Sequence, residues 1–301
     1  MAAPLRLGIL GAASIAPAAV VRPARDVPGV QAFAVASRDP GRARAFASRH
    51  GLSRVHESYE SLLADPAIDA IYNPLPNGLH ASWTIRALEA GKPVLCEKPM
   101  ASNADEAQRM REASDKTGLP LMEAFHWRYH PLAARMQQVL HSGRLGRVEH
   151  LEMDLCVPVP VPGDIRFRLD LAGGSAMDMG CYCVSILRHL VGTEPEVVGA
   201  FARLSSPGVD RYMQADLRFP GELGARMTAA LLAFTPPRVR LRVRGSEGEM
   251  TVTNPVAPHV FHRLKIRTAE GTTTETEPGR TSYTHQLEAF EGLVRHGTPV
   301  P

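Results

Sequence analysis

The 301-residue sequence has little of several features that mark whole classes of protein. Its four cysteines are Cys96, Cys156, Cys181 and Cys183. They lack the spacing of a zinc site, and a chain of this length does not depend on disulfides to fold. We therefore expect no bound metal and a reducing, cytoplasmic setting. No uncharged apolar run approaches the roughly 20 residues that a membrane helix requires, so no membrane association is expected.

Excess charge of either sign is also scarce. Lysine and arginine number 34 against 31 acidic residues, and the difference is spread along the chain. Nucleic acid is therefore not an expected partner. The apolar segment 7–21 resembles a secretory signal, but Gly8, Gly11 and Pro17 interrupt it, which favours a turn. Without repeats or low-complexity tracts, the length and the 44% hydrophobic content predict two ordinary domains.

The first predicted domain, residues 1–124, alternates strand-like and helix-like segments. Strands are predicted at 5–10, 31–37, 68–72, 93–96 and 120–124. Helices are predicted at 42–50, 58–64, 81–90 and 104–117. This alternation is typical of a Rossmann fold, a doubly wound parallel sheet of the kind that binds a dinucleotide.

The second predicted domain, residues 125–301, is of the α+β class with an open antiparallel sheet. Strands are predicted at 148–157, 196–204, 211–219, 225–234 and 239–244. One long helix is predicted at 175–190, and the polar segment 272–280 is predicted to be a loop. Because one face of such a sheet packs on helices and the other is free, we expect this second domain to pair with a copy of itself. The chain is therefore expected to form a homodimer or a higher homo-oligomer.

A glycine turn follows the first strand, although the dinucleotide fingerprint is incomplete. It is Gly11-Ala12-Ala13-Ser14-Ile15-Ala16, with alanine at two glycine positions, and an ordinary strand-to-helix turn is the alternative. The second strand also lacks the acid that NAD-binding sites place at its end. It has Ser37 and Arg38 there, which suit a 2′-phosphate and predict NADP(H). Alternatively, Arg38 is a solvated loop residue paired with Asp39. Predicted cofactor contacts in the turn are Gly11, Ala13, Ser14 and Ile15.

A lysine lies at the end of the fourth predicted strand, which is apolar. Lys98 follows Glu97 and precedes a proline, and it can place a fixed positive charge beside a reacting substrate. The loop after the preceding strand contributes further residues near the carboxyl edge, where a doubly wound sheet binds its ligand. These predicted cofactor-edge residues are Asn73, Leu75, Pro76, Asn77 and His80. They can equally be turn formers.

Five motifs carry a family resemblance over nearly the whole chain. They are Gly11 to Ala16, Ser37-Arg38, Pro76-Asn77 with His80, Glu97-Lys98-Pro99 and Gly180-Cys181-Tyr182. They resemble the glucose-fructose oxidoreductase/inositol dehydrogenase (Gfo/Idh/MocA) family. Segments 123–131 and 163–192 are most similar to its NADP-dependent D-xylose dehydrogenase and dimeric dihydrodiol dehydrogenase branch.

The resemblance implies a Rossmann domain, an α+β domain and a substrate cleft between them. It implies that Lys98 is catalytic, that Tyr182 is the acid/base, and that Glu97 and Lys98 border the cofactor. Arg128 and Arg166 resemble residues that lie on the substrate side of the site in this branch. Similar proteins generally continue beyond residue 301 into a helix that packs on the nucleotide domain, so apolar surface there is expected to be uncovered if the chain ends at Pro301.

The predicted helix at 175–190 places two polar residues on one face. The four-residue spacing brings Asp178 and Tyr182 together near its start, and both are candidate catalytic and substrate-binding residues. Ser175 and Asp178 also have the spacing of a capping box, and Tyr182 can be a half-buried packing residue. Because a carboxylate beside a phenol raises the phenol's pKa, Asp178 is assigned to a substrate hydroxyl or to Lys98.

The chemistry requires a base for a carbinol proton. A tyrosine pKa must fall from about 10 toward 7, which costs roughly 4 kcal/mol. One ammonium about 4 Å away at an effective dielectric of ~20 supplies about that much, so Lys98 can tune Tyr182. The prediction is an NADP-dependent dehydrogenase that oxidises a D-xylose-like aldopyranose. Alternatives are a trans-1,2-dihydrodiol dehydrogenase and a non-catalytic NADP-binding sensor or scaffold. Lys98 and Tyr182 argue against the last.

Overall fold

The structure is a computed structural model that describes residues 3–159, 163–232 and 237–301. Its first sheet has six parallel strands in the order β3-β2-β1-β4-β5-β6. The strands are β1 Leu5–Leu10, β2 Val30–Ala36, β3 Arg54–His56, β4 Ala70–Asn73, β5 Val94–Cys96 and β6 Leu121–Glu123. The order reverses between β1 and β4, which is the doubly wound arrangement that the sequence predicts.

Four helices connect these strands. They are α1 Pro40–His50, α2 Tyr59–Ala64, α3 Asn77–Glu89 and α4 Ala104–Thr117. Successive residues of the central strands bury into opposite faces of the sheet, so Leu7 and Ile9 join one apolar core whereas Leu10 joins the other. Because both faces are covered, the strands are continuous apolar runs and not alternating ones.

The segment between the glycine turn and β2 is helical only in short pieces. It forms two short helical turns, Pro17–Val21 and Pro23–Arg25. Each turn begins with proline, which has no backbone N–H to continue a preceding helix, so the segment cannot propagate as one long helix. Ala19 and Val20 are nonetheless fully buried and attach this segment to the core.

The chain divides into two compact units, and the last helix does not follow the predicted division. The first unit is Met1–Tyr129 with Tyr283–Pro301, and the second is His130–Ser282. The prediction places residues 125–301 in one domain. Helix α7 Ser282–His296 is not among the predicted helices. It buries Leu287 and Phe290 completely in the core that lines one face of the first sheet. This helix therefore covers apolar surface of the nucleotide domain.

The second unit contains an eight-stranded sheet in the order β14-β13-β12-β11-β7-β10-β9-β8. Its strands are β7 Val148–Cys156, β8 Glu196–Ser206, β9 Val209–Phe219, β10 Leu223–Ala230, β11 Arg238–Gly245, β12 Gly248–Thr253, β13 Arg263–Thr268 and β14 Gly271–Glu275. Its main helices are α5 Pro131–His141 and α6 Cys181–Val191. The predicted α+β class with a mostly antiparallel sheet is confirmed.

Three details of this sheet differ from the predictions. Strands β7 and β10 pair in parallel, because the chain between them crosses through α6 before it returns. The predicted loop at 272–280 begins as strand β14, where a run of threonines, which favour extended backbone, pairs with β13. The strand predicted at 225–234 ends at Ala230, and positions 233 and 234 lie outside the described residues.

The two faces of the second sheet have different characters. Apolar residues of β7 and β10, such as Met153 and Ala229, are buried on the side where α6 packs. The residues that alternate with them form charged pairs, including Arg238 with Asp154 and Arg226 with Asp216. This alternation is that of a sheet with one covered face and one open face.

Candidate functional site

The glycine turn joins the ends of β1 and β2. Gly11 has a φ of +90°, and its N–H donates to the Ala36 carbonyl at 2.7 Å. A Cβ at this position would lie 3.1 Å from Leu75 Cδ2, so a side chain would be strained in both conformation and space. The turn therefore brings bare backbone to the carboxyl edge of the sheet. Ser14 is exposed there, Ala13 is half-buried, and Ile15 packs against the core.

The end of β2 presents the hydroxyl and guanidinium that the sequence predicts. Ser37 is buried, whereas Arg38 is exposed and forms no ion pair within the described part of the chain. Asp39 does not pair with Arg38; it caps α1 by accepting hydrogen bonds from Gly41 N and Arg42 N at 2.8 and 3.2 Å. The alternative of an Arg38–Asp39 salt bridge is therefore wrong.

Tyr59 also lies near this edge, although it is not among the predicted site residues. Burial raises the pKa of Tyr59, against the opposing effects of the Arg38 charge and of a hydrogen bond from the Arg38 backbone. Its hydroxyl lies 3.8 Å from where a Cβ on Gly11 would be. The ring packs edge-on against Trp83, with centroids 4.7 Å apart. A tyrosine at the first position of a short helix carries no sequence signal for this placement.

The loop after β4 divides the predicted cofactor-edge residues into two groups. Asn73 and His80 are buried and bond within the protein, since Asn73 Nδ2 donates to the Thr84 hydroxyl at 3.0 Å and to the His80 carbonyl at 3.2 Å. Pro76 and Asn77 are half-buried at the start of α3, and Leu75 packs under the glycine turn. The side chains of Asn73 and His80 therefore shape the loop from inside.

His80 connects this loop to the segment that contains Lys98. Its Nδ1 lies 2.8 Å from the Pro99 carbonyl oxygen, and its Nε2 lies 2.7 Å from the Leu75 carbonyl oxygen. Burial lowers the pKa of His80, although hydrogen bonding to the two carbonyls opposes this shift. The imidazole thus holds the residue that follows Lys98 against the loop after β4.

Lys98 is half-buried immediately beyond β5, at the carboxyl edge of the sheet. Its backbone N–H donates to Glu97 Oε2 at 3.2 Å, and the other carboxylate oxygen of Glu97 accepts from the Tyr72 hydroxyl at 2.8 Å. The Lys98–Pro99 peptide bond is cis. Glu97 is therefore a buried residue that fixes the backbone from which the lysine side chain extends.

Arg128 lies in a short helical turn, His126–Tyr129, that follows β6. It is half-buried, and its Nε has no hydrogen-bond partner among the described residues. The neighbouring His126 ring stacks on Tyr283 with centroids 4.0 Å apart. Burial, reinforced by the Glu97 charge, raises the pKa of Tyr283 and keeps its phenol neutral. The start of α7 therefore lies at the same edge of the first unit as Glu97.

In the second unit, the helix predicted at 175–190 is composed of two parts. The helical turn Ala176–Gly180 is wider than an α-helical turn, and α6 continues from it. Asp178 belongs to the wide turn, and Tyr182, which is 8% exposed, is the second residue of α6. Cys183, Ile186, Leu187 and Leu190 form a buried apolar stripe along α6.

Asp178 is held by Arg166, so the structure brings two of the predicted substrate residues together. Arg166 Nε donates to Asp178 Oδ2 at 2.8 Å, and its Nη1 lies 3.1 and 3.0 Å from the two carboxylate oxygens of Asp164. Burial disfavours the charged guanidinium, but the two carboxylates outweigh burial and raise the pKa of Arg166. Arg166 is therefore a permanent cation between two acids.

The capping box of Ser175 and Asp178 is absent from the structure. Ser175 makes no cap bond; its hydroxyl donates to Asp210 Oδ2, and Ala176 N donates to the same oxygen at 2.9 Å. Asp210 could not be predicted as the partner of Ser175, because it lies on β9, far along the chain. A lone aspartate near the start of a strand gives no signal of this contact.

The residues of the first unit fit the phosphates of a dinucleotide. Gly11 leaves space that a Cβ would fill, and the exposed Arg38 beside Ser37 provides a cation and a hydroxyl of the type that a 2′-phosphate requires.

Within the described ranges, no group of three or more histidine, cysteine or acidic residues can hold a metal ion. No helix in those same ranges combines the length and apolarity needed to cross a bilayer.

Comparisons with known proteins give consistent results. Residues 5–125 match a family described as oxidoreductases with an NAD-binding Rossmann fold, and residues 133–251 match the GFO/IDH/MocA C-terminal domain. The chain is 38% identical to D-xylose 1-dehydrogenase (NADP(+)) 2 of Haloferax volcanii over 97% of this chain and 90% of that protein. It is 34% identical to trans-1,2-dihydrobenzene-1,2-diol dehydrogenase of Xenopus tropicalis over 68% of this chain and 62% of that protein.

Among solved structures, the chain is similar to a 3-ketoreductase from Actinomadura kijaniata in complex with NADP and TDP-benzene. The TM-score is 0.92 at 30% identity, covering 98% of this chain and 90% of that one. Similarity of both sequence and fold over nearly the full length confirms the resemblance that the motifs predict. The chain belongs to the Gfo/Idh/MocA family and is an oxidoreductase.

Proposed function

We propose that this enzyme transfers hydride between NADP(H) and a ring carbinol of a sugar, with a D-xylose-like aldopyranose as the substrate class. The observation that carries the proposal is the lysine at the carboxyl end of β5, whose backbone N–H is bonded to the Glu97 carboxylate. It is supported by the 38% identity to an NADP-dependent D-xylose dehydrogenase over nearly the whole chain.

NADP(H) is the proposed cofactor because of the end of β2. An acid there would accept a ribose 2′-hydroxyl, whereas Ser37 and Arg38 offer a hydroxyl and a cation to a 2′-phosphate. Arg38 is exposed and without an ion pair among the described residues, so no carboxylate of those residues neutralises its charge. When bound, the nicotinamide supplies the hydride acceptor or donor.

Lys98 and Tyr182 are the proposed catalytic residues. In the oxidation, the Tyr182 phenolate accepts the proton of the substrate hydroxyl, and in the reduction the phenol returns it. The Lys98 ammonium supplies the positive charge that favours the phenolate. Tyr182 is 8% exposed on the first turn of α6, so packing around the side chain holds its ring in place.

Asp178, Arg166 and Arg128 are proposed to bind the substrate. Asp178 has the carboxylate that a sugar hydroxyl can donate to, and the hydrogen bond from Arg166 Nε holds that carboxylate in place. Arg128 has a buried Nε that lacks a hydrogen-bond partner among the described residues. Buried donors are usually paired, so a ligand can supply the missing acceptor once the side chain moves. These roles leave Tyr182 as the single proton acceptor.

Two other substrate classes have support from the relatives. A trans-1,2-dihydrodiol is a cyclic vicinal diol like the sugar, and one relative bears the name of that activity. The 3-ketoreductase with a TDP ligand favours a keto sugar attached to a nucleotide. Both share the carbinol–carbonyl chemistry, so the substrate and not the reaction type distinguishes them.

The test is a substrate panel with the full chain. We expect NADP⁺ reduction, followed at 340 nm, with D-xylose and related aldopyranoses, and weaker or no reduction with trans-dihydrodiols. NADPH oxidation by a dTDP-linked 3-keto sugar tests the third class. Lys98→Met should nearly abolish turnover but keep NADPH binding. The matched control is Lys116→Met, which changes an exposed lysine on α4. NADPH binding without turnover of any polyol or keto sugar contradicts the proposal.

We also propose that the chain forms a homodimer through the open face of the second sheet. The charged pairs on β7, β9, β10 and β11 lie there, and the edge strand β8 adds exposed Phe201. A second copy of the chain can cover the charged pairs and Phe201 together, because an isologous dimer uses the same surface patch of both subunits. Analytical ultracentrifugation should find a dimer that 1 M salt weakens. A monomer at all concentrations contradicts this assignment.

A further inference from the structure

A buried acid outside the predicted site holds the start of the helix that carries Asp178 and Tyr182. Asp210, on β9, accepts hydrogen bonds at Oδ2 from the Ser175 hydroxyl and from Ala176 N, the latter at 2.9 Å. Both Ser175 and Asp210 are buried. The acid therefore does from a neighbouring strand what a capping residue does from within the helix itself.

The backbone before the helix is shaped to admit this acid. Gly174 has a φ of +126°, a conformation that side-chain-bearing residues rarely adopt. A Cβ at position 174 would lie 2.3 Å from Asp210 Oδ1. Only glycine leaves room for the carboxylate to approach the first helical N–H groups.

A further contact connects the same turn to the next strand. The Ser175 hydroxyl lies 3.3 Å from the Ala229 carbonyl oxygen on β10, and Cys183 Sγ lies 3.8 Å from the Thr228 carbonyl oxygen. Asp210 supplies the charge-assisted bonds of this set, which are roughly twice as strong as neutral ones. Removing its charge therefore weakens the attachment more than removing any other single partner.

We propose that Asp210 is a positioning residue for the reaction: it fixes the wide helical turn Ala176–Gly180 and thereby the placement of Asp178 and Tyr182. This inference rests on the proposed function, because it takes Tyr182 as the proton acceptor. Asp178 follows the anchored Ser175 by about one turn and Tyr182 by about two, so a shift of the anchor moves both. A misplacement of about 1 Å at a reacting group can reduce the rate about 100-fold.

The experiment compares Asp210→Asn with Asp216→Asn in the full chain. Asp216 lies on the same strand but pairs with Arg226 at 2.6 Å on the open face, so it controls for the loss of one carboxylate from β9. We expect Asp210→Asn to lower kcat about 10- to 100-fold while the Kd for NADPH is unchanged, and Asp216→Asn to alter neither. Hydrogen exchange should accelerate in peptides that cover 176–184 in the first variant only.

Ser175→Ala provides a milder second variant, since Asp210 can still accept from Ala176 N. It should lower kcat and accelerate exchange to a smaller extent. The double variant should have the same kcat as Asp210→Asn alone, because both substitutions break the same Ser175–Asp210 contact. If Asp210→Asn fails to fold, Ser175→Ala decides by its kcat and its exchange. Wild-type kcat or wild-type exchange at 176–184 in a folded variant overturns the inference.

Tyr182→Phe distinguishes this inference from the proposed function. If Tyr182→Phe is inactive and Asp210→Asn is fully active, Asp210 has no positioning role and the catalytic assignment stands. If Tyr182→Phe keeps wild-type kcat, the catalytic assignment is wrong, and a kcat loss in Asp210→Asn is then not transmitted through Tyr182, which overturns the inference as well.

Discussion

Arg166 Nε donates to Asp178 Oδ2 at 2.8 Å, and the same guanidinium contacts both oxygens of Asp164 through Nη1. Two acids therefore share one cation that lies between them. Because the pair is partly buried, its Coulomb energy exceeds that of a surface pair, and its geometry is fixed by three bonds. The carboxylate of Asp178 is consequently held in one orientation.

We expect Arg166→Ala to lower kcat/KM about 10- to 100-fold, because Asp178 loses the donor that orients it. Arg166→Lys keeps the charge but has no planar fork to reach both acids, so it should restore little of the activity. Steady-state kinetics of the two variants check this. Full recovery in Arg166→Lys would show that charge alone matters and that the fork geometry does not.

Cofactor preference should depend on Arg38. Arg38→Ala removes the cation proposed for the 2′-phosphate, so the Kd for NADPH should rise about 10- to 100-fold, equivalent to about 1.4–2.8 kcal/mol, while the Kd for NADH changes little. Fluorescence titration with both nucleotides measures this.

The matched control for Arg38 is Arg44→Ala, an exposed arginine of α1 whose ion-pair partner is Glu57. It should leave both nucleotide affinities unchanged. A wild-type chain that binds NADH more tightly than NADPH would overturn the role assigned to Ser37 and Arg38.

The last helix should stabilise the first unit. Phe290 is fully buried in the core beside β1, so Phe290→Ala should lower the free energy of unfolding of the first unit by about 3–5 kcal/mol. Urea titration of the variant with NADPH binding as the probe measures the loss. Leu293→Ala, which removes a partly buried neighbour, should cost less; an equal cost for the two variants would contradict the packing described for α7.

Stability should depend on pH through Asp69. Burial would raise the pKa of Asp69, but hydrogen bonds and charge from Arg6 outweigh it and hold the pKa below its ordinary value of 3.8. A depressed pKa means that the stabilisation is complete above about pH 4 and is lost as the pH falls through the folded-state value. The pair is about one-third exposed, so its contribution is small, about 1 kcal/mol.

Asp69→Asn should therefore lower the free energy of unfolding by about 1 kcal/mol at pH 7 and by less near pH 3. Urea titrations at both pH values check the prediction, with exposed Asp115→Asn as the control. A loss that grows on acidification has the opposite sign and would show that Arg6 does not favour the ionised carboxylate.

Patterns that are local in sequence predict much of this fold. The strand β1 and the helix α4 have the predicted bounds, because apolar runs and amphipathic periods are set by neighbouring residues. The position of α7 is different. Its apolar face gives no indication of which unit it covers, since that depends on contacts with strands nearly 300 residues earlier, such as β1.

The site shows the same division. Gly11, Arg38 and Lys98 occupy the carboxyl edge of the first sheet because the order of a doubly wound sheet fixes where those turns lie. The side-chain partners of Asn73, Asp178 and Ser175 could not be predicted, because each bond joins positions that meet only after packing. The capping-box spacing of Ser175 and Asp178 is a local pattern that a tertiary contact overrides.

The most direct test of the account is the pH dependence of kcat/KM for sugar oxidation in the wild type, Lys98→Met and Tyr182→Phe. A base tuned by a cation predicts a wild-type pH midpoint near 7, a midpoint displaced toward about 10 in the residual activity of Lys98→Met, and no such ionisation in Tyr182→Phe. An unchanged midpoint in Lys98→Met, or its persistence in Tyr182→Phe, would contradict the assignment of these two residues to proton transfer.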